Sequence, residues 1–256
     1  MTTPTLPAVA HFADLQNPQP FGLYSAATVV PRDAPGRLAL GGVDWVPSNC
    51  GPSGVWNHLI CPPLDPDDPD DTKSGDRPDD GHFPPVTIWA TDECSLYATD
   101  TSASVARAEQ LLRLHEPLWV ERYVADLLAD RATVLPAQTT ITGAVGALEQ
   151  ALGEVGFSGV IHARRGLAAT ATEHRLVEHQ GAMLTTTLGN RWAFGGGYTA
   201  LADTLYATGP VTVWLDPSIT RESIEHKINM RQIVAERSAV VGWECPDTVY
   251  SVQVTG

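Results

Sequence analysis

Few residues of this sequence combine the types and the spacing that catalysis needs. The closest approach to the G-x-S-x-G turn of serine hydrolases is residues 51–54, which have neither that spacing nor a strand leading into a helix. The glycine run 195–197 lacks the interleaved spacing of a dinucleotide-binding loop and precedes β-type sequence, so it predicts a turn. No phosphate-binding P-loop is present. The sequence therefore predicts no catalytic residue and no cofactor-binding residue.

Histidine and cysteine, the usual ligands of transition metals, are scattered along the chain. His174 and His179 lie five apart and His162 lies in a strand-like context, so no pair has the i, i+4 spacing of a helical metal site. Zinc sites usually pair cysteines about two to four residues apart. The cysteines here are far apart, at positions 50, 61, 94 and 245. We expect reduced, mostly buried thiols, with disulfides formed after release from the cell as the main alternative.

The most acidic part of the chain is residues 64–80, which carry eight aspartates. A calcium-binding loop that started at Asp70 would place Gly81 at its twelfth position, where a bidentate glutamate is needed. The segment has almost no apolar surface to bury, and its like charges repel. It predicts a mobile exposed loop, and no metal-binding residue is predicted anywhere in the chain.

Glu236 and Arg237 are the most unusual charged residues because they lie inside the apolar run 233–243. Two charges in such a strand are costly unless they are paired across a sheet or across a subunit boundary. They are therefore candidate subunit-contact charges. The alternative is that they mark the exposed edge of a half-buried strand.

The overall charge excludes a dedicated nucleic-acid binder. Lysine and arginine number 16 against 30 acidic residues, giving a net charge of −14, whereas phosphate neutralisation needs clustered basic residues. No apolar run approaches the roughly 18 to 20 residues that span a bilayer. The first residues have neither the positive charge nor the apolar core of a signal peptide, so cytosolic synthesis is the default.

Proline divides the chain, because 15 of the 20 prolines lie within the first 85 residues. Proline breaks helices and removes a donor from a sheet, so the first third should be extended and turn-rich. Residues 21–30 and 38–46 read as strands that could form a hairpin. A second candidate pair is 55–60 with 86–90, joined by the acidic segment.

The remainder predicts regular structure. A helix is expected from 101 to about 130, either kinked or divided at Pro117. The apolar stripe of residues 141–155, followed by Gly156, predicts a second helix. A buried strand at 159–163, a short helix from 164, and β-type sequence at 184–192 follow. Two long β runs, 204–215 and 232–243, precede a β-type tail at 249–254.

This order of elements resembles that of tailed-phage major capsid proteins of the actinobacteriophage type, whose fold is shared with encapsulin nanocompartments. The resemblance covers roughly residues 86–254. The helix at 101–130 is similar to the long spine helix of that family, and residues 148–169 are similar to a helix, buried strand and short helix of its apical domain. Residues 187–193 match a turn and strand of the family only partly, because Arg191 stands where proline is common. Residues 231–242 are similar to its long return strand.

The resemblance implies an α+β fold divided as in the phage capsid family. It places an N-terminal arm at 1–20 and an extended β-hairpin region at 21–90, which contains the acidic loop 62–85. The hairpin itself would be either 21–46 or 55–90. A peripheral domain with the spine helix follows at 91–135, then an apical domain at 136–230. Return strands at 231–256 close both domains.

The function implied is self-assembly, without enzymatic activity and without a cofactor. Copies of the chain would form pentamers and hexamers of an icosahedral head shell that encloses the phage genome without a dedicated nucleic-acid site. The shell would be assembled in the host bacterial cytoplasm, with scaffold, portal or decoration proteins as further partners, and would become part of the virion. The alternatives are an encapsulin-like shell, a minor head or decoration protein, and a cytosolic α+β enzyme whose site has not been recognised.

Overall fold

The computed structural model describes residues 8, 9, 11, 13–34, 36–55, 73, 75–98 and 100–256. The helices in this part of the chain are α1 (Leu23–Ala26), α2 (Arg37–Gly41), α3 (Ser102–Arg131), α4 (Ile141–Val155) and α5 (Leu167–Glu173), with a 3-10 helix at Tyr198–Leu201. The strands are β1 (Thr28–Pro31), β2 (Val43–Trp45), β3 (Gly81–Phe83), β4 (Val86–Ser95), β5 (Thr133–Val134), β6 (Val160–Arg164), β7 (Glu178–Gln180), β8 (Met183–Thr185), β9 (Arg191–Gly195), β10 (Thr204–Thr208), β11 (Val211–Leu215), β12 (Ile219–Glu225), β13 (Met230–Trp243) and β14 (Val249–Gln253).

The first sheet is organised around the long strand β13. Strand β4 pairs with β13 along residues 230–239, and β12 pairs with residues 230–236 of the same strand. Two strands that pair with the same residues must lie on opposite sides, so β13 is a central strand. Beyond β12, β11 pairs with residues 239–243 of β13, and β1 pairs in parallel with β11. The alternative in which β13 is an exposed edge is therefore wrong.

Helix α3 packs along one face of this sheet. Its buried positions recur at nearly four-residue intervals through Ala108, Leu112, Glu116, Val120 and Val124. The helix predicted over 101–130 is confirmed, and it is continuous although Pro117 lies inside it. The buried face passes through position 116, whereas the side chains at 115 and 119 are exposed.

The second sheet carries a separate core. Its strand order is β5-β14-β10-β6-β9-β8-β7, and α4 and α5 contribute apolar side chains to its core. Helix α4 has the predicted bounds because Thr140 accepts a hydrogen bond from the N–H of Gly143 at its start. At its end Gly156 adopts a φ of 90°, which stops the helix. No helix in the described ranges is both long and apolar enough to cross a membrane.

The first third departs from the sequence-based prediction. Within 21–30 the chain forms α1 and then β1, and within 38–46 it forms most of α2 and then β2. β1 pairs with β11 and β2 pairs with β3, so the predicted hairpin between 21–30 and 38–46 is wrong. Strand propensity measures how well side chains fit a half-buried surface, and tertiary contacts decide which surface that is. Of the other candidate pair, residues 56–60 lie outside the described residues, as does most of the acidic segment (62–72 and 74).

The predicted β run 204–215 is also divided. Gly209 and Pro210 separate β10 from β11, and these two strands belong to different sheets. Proline cannot donate to a sheet ladder, so the chain leaves one sheet and enters the other at this point. The division into arm, hairpin region, peripheral and apical domains stays a prediction.

Candidate functional site: buried carboxylates and exposed sheet surfaces

Helix α3 carries a buried carboxylate that joins three parts of the fold. The side chain of Glu121 is only 4% exposed. Its Oε1 accepts a hydrogen bond from the N–H of Leu23 at 2.9 Å, and its Oε2 accepts one from the N–H of Gly197 at 2.8 Å. Burial raises the pKa of Glu121, although these hydrogen bonds act in the opposite direction. The carboxylate thus fastens α1 and the 195–197 turn to α3.

The turn predicted at 195–197 is confirmed, and the structure gives its reason. Strand β9 ends at Gly195 and the 3-10 helix begins at Tyr198. A Cβ atom at Gly197 would overlap the carbonyl oxygen of Leu118 and the side chain of Glu121. Glycine is required here by close approach to α3, not by a phosphate ligand.

A second buried carboxylate, Glu116, receives one of the two sequence-predicted contact charges. Arg237 donates to Glu116 Oε2 at 3.0 Å, and the hydroxyl of Tyr24 donates to Oε1 at 3.0 Å. Burial raises the pKa of Glu116, while Arg237 and Tyr24 act to lower it. Sequence reasoning missed this partner. The sequence signal was the spacing of Glu116, which follows Ala108 and Leu112 at four-residue intervals. This spacing places Glu116 on the same buried face of the helix.

The other charge, Glu236, lies on the opposite face of the sheet. Successive strand residues alternate between faces, so Glu236 points away from α3 when Arg237 points towards it. Its carboxylate is 3.1 Å from the guanidinium of Arg221 on β12. Its cross-strand neighbour on β4 is Trp89, which is 63% exposed. We call Trp89, Thr91, Arg221, Val234 and Glu236 the outer sheet face.

A second exposed apolar group lies at the far end of the same sheet. Ile224, near the end of β12, is 44% exposed, and Ile228, in the β12–β13 turn, is 65% exposed. Tyr97, which follows β4, is 79% exposed. Ser95 of β4 pairs with Met230 of β13, so these three side chains belong to one end of the sheet, here called the sheet tip. Exposed apolar groups of this kind are typical of protein–protein contacts.

The remaining candidate residues are held in structural roles. His162 is fully buried between the hydroxyls of Tyr198, at 2.9 Å, and Thr208, at 3.0 Å. Burial lowers its pKa to about 3, so the ring stays neutral at physiological pH. A buried neutral imidazole between two hydroxyls has no substrate access. His174 and His179 lie on the surface.

Two of the four cysteines are joined, so for this pair the disulfide alternative replaces the prediction of reduced thiols. Cys50 and Cys245 form a disulfide with a Cα–Cα distance of 5.7 Å. Cys94 is free, and Cys61 lies outside the described residues. The paired residues are 195 positions apart, so no local spacing could reveal them. Glu244 lies close enough to complete a metal-ligand set, but the two sulfurs are bonded to each other.

Comparisons with known proteins give a match only through the fold. No family model matches the sequence, and no curated protein matches it. A solved structure from Mycobacterium phage Adephagia has a TM-score of 0.56 and 9% identity, covering 98% of this chain and 95% of that one. The capsid of an empty GTA particle gives a TM-score of 0.55 and 10% identity, covering 98% and 96%.

The mature capsid of bacteriophage PhiM1 gives a TM-score of 0.50 and 10% identity, covering 100% of this chain and 93% of that one. The matches extend over nearly the whole of each chain, so they include both sheets and the long helix. At these identities they establish the fold and nothing finer. This chain therefore has the α+β fold of phage capsid proteins, as the order of its elements implied.

Proposed function

We propose that this protein is a structural subunit that assembles with copies of itself into the icosahedral head shell of a phage. The observation that carries the proposal is the correspondence of the whole fold with capsid subunits, over 98% of this chain and 96% of the GTA capsid chain. The described residues are accounted for by that fold.

The outer sheet face and the sheet tip are the surfaces proposed to contact neighbouring subunits. Both carry large apolar side chains exposed beside charged ones, a composition that suits contacts made in water and then desolvated. Glu236, already paired with Arg221, supplies the charge that could choose between partners and fix their register. Arg237 contributes from inside, because its pairing with Glu116 fastens β13 to α3.

The net negative charge of the chain fits a shell protein that encloses DNA better than a protein that binds DNA directly. With a net charge of −14, the chain repels DNA at long range, so the genome would be enclosed without being gripped. The shell would be built in the cytoplasm of the host and remain as part of the virion. It would need no cofactor and perform no catalysis, and scaffold or portal proteins would join it during assembly.

The proposal is tested by the size of the purified protein. Sedimentation velocity and negative-stain microscopy should show closed particles, or rings the size of pentamers and hexamers, in equilibrium with free subunits. A folded monomer at every concentration would overturn it. Particles that enclose an enzyme in place of DNA would instead identify an encapsulin-like compartment.

The contact surface is tested by a matched pair of tryptophan substitutions. Trp89→Ser removes the largest apolar group of the outer sheet face, so it should shift the assembly to higher protein concentrations without changing the melting temperature of the subunit. Trp119→Ser is the control, because Trp119 is also exposed but lies on α3, where Arg122 stacks on its ring at 4.3 Å. Equal effects of the two substitutions would exclude the outer sheet face as the specific contact.

A further inference from the structure

The turn that follows β13 holds the segment that leads into the acidic part of the chain. Glu244 and Cys245 lie at the start of this turn, and both are buried. Pro246 packs against Gly81, the first residue of β3, so closely that a Cβ atom at Gly81 would overlap its ring. Because β3 pairs with β2, both ends of the stretch between residues 45 and 81 meet this one turn.

The carboxylate of Glu244 organises the first of these ends. Its Oε1 accepts hydrogen bonds from the N–H groups of Ser48, at 2.9 Å, and Asn49, at 2.8 Å. Its Oε2 accepts one from the indole N–H of Trp45 at 2.8 Å. Burial alone would raise the pKa of Glu244, but these donors lower it below its ordinary value, so the group is ionised at neutral pH. Three bonds to one charged acceptor fix the backbone that leads directly into Cys50.

The two cysteine residues differ in their exposure to solvent. Cys245 is 3% exposed, whereas Cys50 is only half-buried. A reagent from solution therefore reaches Cys50 first. Cys245 is positioned behind it to complete the bond, and Glu244 holds the two chain segments together before any bond exists.

We propose that Cys50 and Cys245 form a redox-sensitive lock on residues 45–50, and that Glu244 is the positioning residue that lets it close. The oxidant is a small disulfide of the glutathione class. The Cys50 thiolate attacks one of its sulfurs and releases one thiolate, and the Cys245 thiolate then attacks the Cys50 sulfur and releases the second. Two protein thiols become one disulfide, one small disulfide becomes two small thiols, and the two protons go to the released thiolates.

The lock acts on the folded chain, so it goes beyond the proposed function and does not depend on assembly. In a reducing cytoplasm the thiols stay apart, and residues 45–49 are held by the Glu244 contacts and by the packing of Trp45 against Phe83 and Trp214. In an oxidising medium the lock closes and ties residue 50, which precedes the acidic segment, to the turn that follows β13. A chain made in the cytosol and later released into the medium would pass from the first state to the second.

The lock is tested on the intact protein in buffers of defined glutathione ratio. After alkylation and digestion, mass spectrometry should detect a peptide pair that links Cys50 to Cys245, appearing as the buffer becomes more oxidising. Reduction of the oxidised protein should lower its melting temperature by about 5 to 15 °C. A Cys50→Ser variant should melt like the reduced protein and should not respond to reductant.

The role of Glu244 is tested by the position of the redox midpoint. Glu244→Gln removes the charged acceptor, so a glutathione ratio about tenfold more oxidising should be needed to close the lock. Asp247→Asn is the control, because it removes a carboxylate from the same turn that is exposed and accepts no hydrogen bond from residues 45–49. A midpoint unchanged in Glu244→Gln, or shifted equally by Asp247→Asn, would refute the positioning role. Linkage of Cys50 to another cysteine, retention of both thiolates on a bound zinc ion, or a melting temperature insensitive to reductant would overturn the lock itself.

Discussion

Replacing Glu121 with alanine separates two contributions of a buried carboxylate, which have opposite signs. The substitution removes a charge that is costly to bury, and it also removes the acceptor for the N–H groups of Leu23 and Gly197. Leu23 is fully buried, so water cannot replace the lost acceptor there. The cost of leaving the two N–H groups unpaired should exceed the gain from removing the buried charge, because both N–H groups belong to fixed parts of the fold.

The magnitude follows from counting the groups left unpaired. A buried donor without a partner costs about 1–3 kcal/mol, so two donors cost about 2–6 kcal/mol. Relief from burying the charge recovers part of this, which leaves a loss of about 3 kcal/mol for Glu121→Ala. The isosteric Glu121→Gln keeps one oxygen acceptor but presents an amide N–H to the other donor, so a loss of about 2 kcal/mol is expected.

The assay is urea denaturation followed by far-UV circular dichroism. Every variant is compared at the same protein concentration, because association would add to the apparent stability. Asp126→Ala is the control, since Asp126 lies on the same helix but is exposed, and its substitution should change the free energy of unfolding by less than about 0.5 kcal/mol. If Glu121→Ala unfolds at the same urea concentration as the control, the carboxylate does not fasten α1 and the 195–197 turn to α3.

Three further predictions use the same denaturation assay. Because burial raises the pKa of Glu121 above 4.5, the folded state binds a proton at this carboxyl more readily than the unfolded state. Proton binding at Glu121 therefore stabilises the folded state at low pH, and this stabilisation is lost as pH rises through the raised pKa. The stability advantage of the wild type over Glu121→Gln should therefore grow as pH falls from neutral towards 4.5, and a constant difference would contradict the raised pKa. Arg237→Met should lower the free energy of unfolding by about 2–3 kcal/mol, because it leaves a buried carboxylate unpaired. Arg221→Met, at a more exposed pair, should lower it by less than about 1 kcal/mol, and equal losses would argue against the internal pairing. Gly197→Ala should destabilise the protein by about 1–3 kcal/mol, because its Cβ would overlap α3. Gly146→Ala, where a Cβ meets nothing within 4 Å, should stabilise it by about 0.5–1 kcal/mol. The reverse order would refute the packing of the 195–197 turn against α3.

The elements that could be predicted from the sequence are those whose signal is local. Helix α4 was found with its bounds because an apolar stripe, an N-cap threonine and a terminating glycine all lie within its own residues. Helix α3 was found for the same reason, although its long buried face contains a glutamate. The candidate hairpin at 21–46 is wrong because its residues pair with β3 and β11, which follow later in the chain.

The contacts around Cys50, Glu244 and Cys245 could not be predicted from the sequence, for a similar reason. The disulfide joins residues 195 apart, and the three donors to Glu244 come from a segment equally distant in sequence. Neither contact has a spacing that could be read along the chain. A buried polar group shows its role only when its partners are known, because the same glutamate would be read as a surface charge without them.

The two adjacent charges on β13 show how far a local pattern can be taken. Their position inside an apolar run indicated that each needs a partner across the sheet or across a subunit boundary. Glu236 contacts Arg221 across the sheet, whereas Arg237 contacts Glu116 of the long helix, and a role of either charge in subunit contacts stays a prediction. The period of two along a strand then sends them to opposite faces. One charge is used inside the subunit, where it joins the central strand to the long helix. The other lies beside an exposed tryptophan, on the surface that a neighbouring subunit is proposed to cover. A pair that reads as one feature in the sequence thus serves the stability of the subunit through one residue and its proposed assembly through the other.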